Sequence, residues 1–342
     1  MEKINEKNIV TIVKKIKESK NITIISHENP DGDTIGSATA LYGVLKNLGL
    51  NAKLIINDKL PVFLQWLPYS KNYVIYENNI SEVKKIINNT DLFFHIDYNA
   101  FERTGNLFKL LKQKQDTFSI LIDHHPNPSP IAKFSYSYTD KSSTAEVLFN
   151  FLKIAKLDNY INHNEATCLY AGIITDTGNF VFNSSSPQLF ITVAELLKKG
   201  INKDEIYSNI YYNFSYNRMK LLGFALSERM FYWQHLNTAF ITLYDKDLKR
   251  FNHQKGDTEN IVNMLFYIKN VKFALLMIEK KDHIKISMRS RGQFPANYIA
   301  SKYFNGGGHL NAAGAKCLAS MNETIQKLKN VLENDENVKQ YI

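Results

Sequence analysis

Carboxylates and imidazoles gather at four places in the first half of the chain, each directly after an apolar run. The first is Ser26-His27-Glu28-Asn29-Pro30-Asp31-Gly32-Asp33, following Ile22-Thr23-Ile24-Ile25. Asp97 follows Phe93-Phe94-His95-Ile96, and Asp123-His124-His125 follows Ile120-Leu121-Ile122. The fourth is Asp176, after Ala171-Gly172-Ile173-Ile174-Thr175. Oxygen and imidazole ligands without thiolate suit Mn²⁺ or Mg²⁺, with Zn²⁺ or Co²⁺ as alternatives. Six candidates, His27, Asp31, Asp33, Asp97, His124 and Asp176, are too many for one open catalytic ion. They fit two ions sharing a bridging carboxylate. Two ions about 3.5–4 Å apart stabilise the attacking and leaving oxygens of phosphoryl hydrolysis.

Each cluster alone has an ordinary explanation. Asp-Gly-Asp is usually a turn, a His-His pair is usually surface or core, and a single Asp commonly caps a helix. Four such coincidences within one domain make the poorer account.

The elements that must position these residues read as an α/β fold. Strand-like runs at Ile22–Ile25, Ala52–Ile56, Leu92–Ile96 and Ser119–Ile122 alternate with helical patterns, the first from about Gly36 to Leu48 and stopped by Gly49. Continuous apolar strands between helices indicate a parallel sheet covered on both faces. The acid clusters then lie beyond the carboxyl ends of strands, where open parallel sheets bind ligands. Helical patterns dominate near residues 190–235, with helices at Ile191–Lys198 and about Tyr216–Phe231. Strand-like runs return at 239–243, 273–278 and 284–288. The expected organisation is a catalytic domain over 1–200, a helical connection over 201–235 and a smaller α/β domain over 236–342, with the active-site cleft between the two domains.

The chain has 342 residues, of which 44% are hydrophobic, enough for two cores. No apolar run approaches the roughly 18–20 residues of a membrane span, and the charged Met1–Lys7 segment lacks a signal peptide's apolar core. A soluble cytoplasmic protein is expected; a homodimer is compatible with the chain. The net charge of +9 suits an anionic partner such as a nucleotide. Cys168 and Cys317 read as buried core residues. His95 lies inside an apolar run and reads as a hydrogen-bonded structural histidine. Ser143-Thr144 reads as a helix cap.

The motifs together resemble those of the DHH phosphoesterases. His27-x₃-Asp31-x-Asp33 with Thr34-Ile35-Gly36-Ser37 is similar to the family's first motif, and Asp97 with Arg103-Thr104-Gly105 to its second. Asp123-His124-His125 is the motif that names it, and Gly172–Phe180 resembles the fourth. Gly306-Gly307-Gly308-His309 with Ala312-Ala313-Gly314 resembles the signature of the DHH-associated domain. The branch most similar is the nanoRNases that double as phosphatases of adenosine 3′,5′-bisphosphate (pAp). The resemblance implies that His27, Asp31 and Asp97 hold one ion. It implies that Asp33, Asp97, His124 and Asp176 hold the other, with Asp97 bridging. It leaves His125 to contact the scissile phosphate or the leaving group, with Asp123 orienting the histidines.

Arg289, Arg291 and the Gly306–His309 loop by themselves also fit a solvated basic strand end beside a flexible loop. The resemblance makes them the substrate-holding side, with glycine amides and arginine gripping a phosphate. Short oligonucleotides or pAp are the expected substrates. Alternatives are a RecJ-like single-strand exonuclease, a cyclic or linear dinucleotide phosphodiesterase, and a polyphosphatase or pyrophosphatase. A non-catalytic nucleotide-binding regulator would be expected to have lost ligands, and all six candidates are present.

Overall fold

The apolar runs of the first half become strands of one sheet: β1 (Glu2–Lys3), β2 (Ile22–Ser26), β3 (Ala52–Ile56), β4 (Tyr73–Ile75), β5 (Leu92–Ile96), β6 (Phe118–Asp123) and β7 (Phe134–Ser137). Their order is β1-β7-β6-β5-β2-β3-β4, and every neighbouring pair is parallel. The chain builds outward from β2 to β4, then returns to β5 on the other side of β2. That reversal between β2 and β5 is the point at which ligands bind in open α/β sheets, beyond the carboxyl ends. His27 follows β2 and Asp97 follows β5, so both candidates fall at it. The computed structural model describes residues 1–254 and 256–342.

Helices cover both faces of this sheet. These are α1 (Ile9–Glu18), α2 (Gly32–Asn47), α3 (Ile80–Asn89), α4 (Phe108–Lys112), α5 (Thr144–Ile154), α6 (His163–Asp176), α7 (Pro187–Leu197) and α8 (Lys203–Tyr211). Strand alternation assigns the faces. Leu92, Phe94 and Ile96 join the core beneath α1, α2, α5 and α6, whereas Phe93 joins the core beneath α3 and α4. Within the first core α2 and α6 approach closely because both carry glycine at the crossing. A Cβ on Gly36 would stand 2.9 Å from the Gly172 nitrogen, and one on Gly172 would stand 3.0 Å from Asp33 Oδ1.

Two expectations change here. The run Ala171–Thr175 is not a strand but the last turns of α6. Periodicity cannot separate a short apolar strand from a buried helix. The deciding signal is the capping box Asn162/Glu165 nine residues earlier. Asp176 therefore stands at a helix C-terminus, and only three of the four acid clusters follow strands. Helix α2 also begins at Gly32, four residues before the expected start, with Asp31 as its N-cap.

The second unit holds α9 (Tyr216–Glu228), β8 (Met230–Trp233), β9 (Thr238–Leu243), α10 (Asp245–Arg250), α11 (Ile261–Met264), β10 (Phe273–Glu279), β11 (Ile284–Ser290), α12 (Ala296–Tyr303), β12 (Gly307–His309), β13 (Ala312–Cys317) and α13 (Met321–Asn334). Its six strands run β12-β13-β11-β10-β9-β8, with only β9 and β10 parallel. The chain divides at 213/214 into Met1–Asn213 and Phe214–Ile342. The helical stretch expected as a connection is thus shared: Ile206 and Ile210 of α8 lie in the first unit's core, while Leu221 and Ala225 of α9 lie in a core of the second. The expected helix through Phe231 stops at Glu228, and Met230–Trp233 pair with β9 instead.

Candidate metal centre

His27 leaves β2 with its ring fixed from behind. Its Nδ1 lies 2.6 Å from the carbonyl oxygen of Glu28, which directs the Nδ1 proton there and leaves Nε2 facing the acids. Nε2 is 3.5 Å from Asp97 Oδ2. Burial works against charging His27, yet the hydrogen bond to Asp97 and the charges of Asp31 and Asp97 hold its pKa above the ordinary value. Asp31 accepts the Thr34 amide at 3.0 Å as the α2 cap. The Thr34 hydroxyl lies among His27 Nε2, Asp97 Oδ2 and Asp31 Oδ1, at 2.5, 2.5 and 3.0 Å.

Asp97 turns the chain just past β5 at φ 66°, in the left-handed region. Non-glycine residues occupy that region at a cost, with Asp and Asn among the more tolerant. The turn sets its carboxylate, only 2% exposed, at the middle of the cluster. Burial alone would raise its pKa; the His27 hydrogen bond and the His125, His27 and His124 charges outweigh that and hold it well below the carboxylate range.

His124 follows β6 and points Nε2 at three carboxylates: Asp176 Oδ2 at 3.6 Å, Asp97 Oδ1 at 3.9 Å and Asp33 Oδ2 at 4.0 Å. These gaps are too long for hydrogen bonds. Ligands about 2–2.2 Å from a common ion stand roughly 3–4 Å apart, so the gaps suit an ion between them. Asp33, in the first turn of α2, shows the same need from the other side. Its pKa is pushed well above the usual value by burial, then by the neighbouring Asp97, Asp176 and Asp31 charges. A cation among these carboxylates would offset that repulsion. Three groups have ligand atoms within 4.8 Å of one another: His27/Asp31/Asp97, Asp33/His124/Asp176 and Asp97/His124/His125. All six expected ligands are brought together, and Asp97 belongs to two of the three groups. The donor set therefore fits divalent ions of the oxygen- and imidazole-loving kind.

His125 is held differently. Its Nδ1 lies 2.8 Å from Asp123 Oδ1 and 3.7 Å from Asp97 Oδ1. Asp123 is fully buried, and its Oδ2 has no hydrogen-bond partner among the described residues. Asp123 thus orients the His125 ring through Nδ1. His95 is buried, bonds to the Tyr98 hydroxyl and has its pKa pushed down to about 3 by burial, as a neutral structural ring. Cys168 and Cys317 are buried free thiols.

Two residues that composition and spacing did not single out for this centre are Thr34, described above, and Thr144. Thr144 follows the N-cap Ser143, and its hydroxyl donates to Asp97 Oδ1 at 2.8 Å. The amides of Thr144 and Ala145 donate to Asp33 Oδ2 and Oδ1 at 2.6 and 2.9 Å. Sequence shows the cap, but nothing local links it to acids 47 and 111 residues away.

In the second unit, cross-strand register places Arg289 opposite Ala312 and Ala312 opposite His309. Residues directly opposite share a face, so Arg289 and His309 flank a small alanine. The next row on that face is Ser287, Gly314 and Gly307. The same face over β9 and β10 carries Ala239, Ile241, Ala274 and Leu276, packed with residues of α9, α10 and α11. Over β11, β13 and β12 it carries glycines, alanine, Arg289 and His309, all partly or well exposed. The expected anion nest of three glycine amides is corrected in part. Gly306 N–H donates to Ala300 C=O, and Gly307–His309 form an edge strand. Gly308, at φ 142°, could not carry a Cβ without striking Ala313. The glycines allow close backbone approach more than they form a cradle. Arg291 is engaged elsewhere: it donates to Phe266 C=O at 3.2 Å and its guanidinium lies over the Phe266 ring.

Comparison with known proteins agrees with this architecture. Residues 21–173 match the N-terminal domain of the DHH family, and residues 238–334 match the DHHA1 domain. An exopolyphosphatase-related protein from Bacteroides fragilis, known by its crystal structure, is 35% identical, with a TM-score of 0.93 over 96% of each chain. A Thermus thermophilus protein named bifunctional oligoribonuclease and PAP phosphatase NrnA is 28% identical over 294 residues, 86% of this chain and 83% of the relative. The exonuclease RecJ, crystallised with manganese, shares the fold at 14% identity, with a TM-score of 0.53 over 98% of this chain and 96% of that one. With both family domains matched in order and a 35% identical relative aligned end to end, the chain belongs to the DHH family and carries a DHHA1 domain behind its DHH domain.

Proposed function

We propose that this chain is a divalent-metal phosphoesterase that shortens small oligonucleotides exonucleolytically and removes the 3′-phosphate of pAp, as the name of its Thermus relative suggests. The observation that carries the reading is Asp97, one buried carboxylate that belongs to the His27/Asp31 group and lies 3.9 Å from His124 of the Asp33/His124/Asp176 group. His27, Asp31 and Asp97 would hold one ion, and Asp33, Asp97, His124 and Asp176 the other, with Mn²⁺ the ion expected. Bound there, divalent ions supply Lewis acidity and positive charge at the reacting phosphate. His125, its ring oriented by Asp123 through Nδ1, would contact the phosphate or the departing oxygen, where a proton is needed. Arg289 and His309, flanking the small residues of the sheet face, grip the substrate's terminal phosphate and base. Among the described residues no helix is long and apolar enough to cross a membrane.

The substrate-holding face is one row of two side chains on a narrow sheet edge, suited to a short substrate. Non-specific strand binding instead needs a basic groove with stacked aromatics, spanning roughly 4–16 nucleotides per binding fold. The expected result is hydrolysis of pAp and of oligonucleotides about two to five residues long well above that of long single strands. The test is kcat/KM against chain length at fixed Mn²⁺ and salt. Efficiency still rising beyond about ten nucleotides would favour a RecJ-like exonuclease. No metal-dependent turnover of any phosphoester would favour a nucleotide-binding regulator.

A further inference from the structure

Thr144 opens α5, and the donors described for it go to the acid cluster. Its hydroxyl bonds Asp97 Oδ1 at 2.8 Å and its amide bonds Asp33 Oδ2 at 2.6 Å. The Ala145 amide bonds the other oxygen of Asp33 at 2.9 Å. Thr144 and Ala145 are fully buried, and Asp33 and Asp97 are 1% and 2% exposed, so water does not compete for these bonds.

The helix does not need this hydroxyl for its own sake. Capping is done by Ser143, whose Oγ accepts the Glu146 amide at 3.1 Å. The first amides of a helix have no partner within it, and here two of them are aimed at Asp33. A carboxylate oxygen has two lone pairs. One bond from α5 therefore leaves Asp97 Oδ1 and Asp33 Oδ2 each able to ligate while fixing the direction in which it does so; Asp33 Oδ1, which also accepts the Ser37 hydroxyl at 3.3 Å, anchors the carboxylate. Thr144 is bonded to both carboxylates, one from each side of the paired ligand groups.

We propose that Thr144 is a positioning residue of the metal centre: its hydroxyl sets the rotamer of Asp97, and its amide, with that of Ala145, sets Asp33, so that the shared carboxylate meets both ions without rearrangement. This role presupposes the metal centre proposed above. Thr144 itself touches neither ion nor substrate; it acts through Asp97 and Asp33. Residues that orient metal ligands typically change metal affinity by about 10–100-fold when lost.

The test is calorimetric titration of EDTA-stripped protein with MnCl₂, for wild type, T144V, T144S and S143A. T144V keeps the amide and the volume and removes only the hydroxyl. It is expected to bind Mn²⁺ about 10–100-fold more weakly, with kcat reduced at limiting Mn²⁺ and recovered at high Mn²⁺. T144S keeps the hydroxyl and restores affinity. S143A removes the cap alone, so it lowers Tm and leaves Mn²⁺ affinity unchanged. Wild-type affinity and stoichiometry in T144V would overturn the role of Thr144. Failure of the wild type itself to bind Mn²⁺ would instead overturn the metal centre. If T144V loses its circular-dichroism spectrum, T144A against T144S in the same titration carries the same two outcomes.

Discussion

Replacing Asp97 by Asn tests the centre most directly. Asn is the right substitution because Asp97 sits at φ 66°, a left-handed conformation that Asn also tolerates. Asn can still accept the Thr144 hydroxyl, so the backbone turn and the fold should survive. What disappears is one negative charge. Its oxygens lie 3.5 Å from His27 Nε2 and 3.9 Å from His124 Nε2, one histidine from each of the two proposed ligand sets. Unit charges about 4 Å apart interact by about 4 kcal/mol at an effective dielectric constant near 20. An ion held by either set would lie closer and carry twice the charge, which strengthens the attraction, while the water that replaces the lost carboxylate offsets part of it. At about 1.4 kcal/mol per decade, about 4 kcal/mol corresponds to roughly a 10³-fold loss of Mn²⁺ affinity. The measurements are metal content after dialysis, Mn²⁺ titration by calorimetry and kcat on pAp, with circular dichroism to verify the fold. D97N that retains wild-type metal content and turnover would refute the sharing of Asp97 between two ions.

The neighbouring histidines should separate. H124A should lose metal, because His124 faces Asp33, Asp97 and Asp176, whereas H125A should keep metal and lose kcat; equal metal loss in both, read by elemental analysis, would contradict the division. R289A or H309A should raise KM with metal content unchanged, since both lie on the sheet face of the second unit; loss of metal at unchanged KM would place them wrongly. Asp247 is paired bidentately with Arg229 at 2.8 and 2.9 Å. Burial raises its pKa, but the Arg229 hydrogen bonds overcome that and hold it below the usual carboxylate value. A depressed folded-state pKa stabilises above the unfolded value and is lost as pH falls through the folded one. R229M should therefore lower stability by about 1.5–3 kcal/mol at neutral pH and flatten the loss of Tm below about pH 4; an unchanged acid limb would count against the pair.

The sequence by itself named the six candidate ligands, the class of chemistry and the class of fold. Residue types decide which metals can bind, and that information is local to His27, Asp31, Asp33, Asp97, His124 and Asp176. Apolar runs and turn signals made β2, β5 and β6 legible because each is a short, fully buried strand. What remained hidden was set by partners distant in the chain. The run before Asp176 looks the same as a strand or as a buried helix until its packing against α2 through Gly36 and Gly172 is known. Thr144 reads as part of a cap until the fold brings α5 against Asp33 and Asp97. Arg289 and Arg291 are two residues apart and alike in sequence, yet Arg289 stands opposite Ala312 on the sheet face while Arg291, just past the end of β11, donates to Phe266 C=O. The reversal of strand order between β2 and β5 decides that His27 and Asp97 share one crevice, since strand pairing is a contact between distant segments that no local pattern specifies.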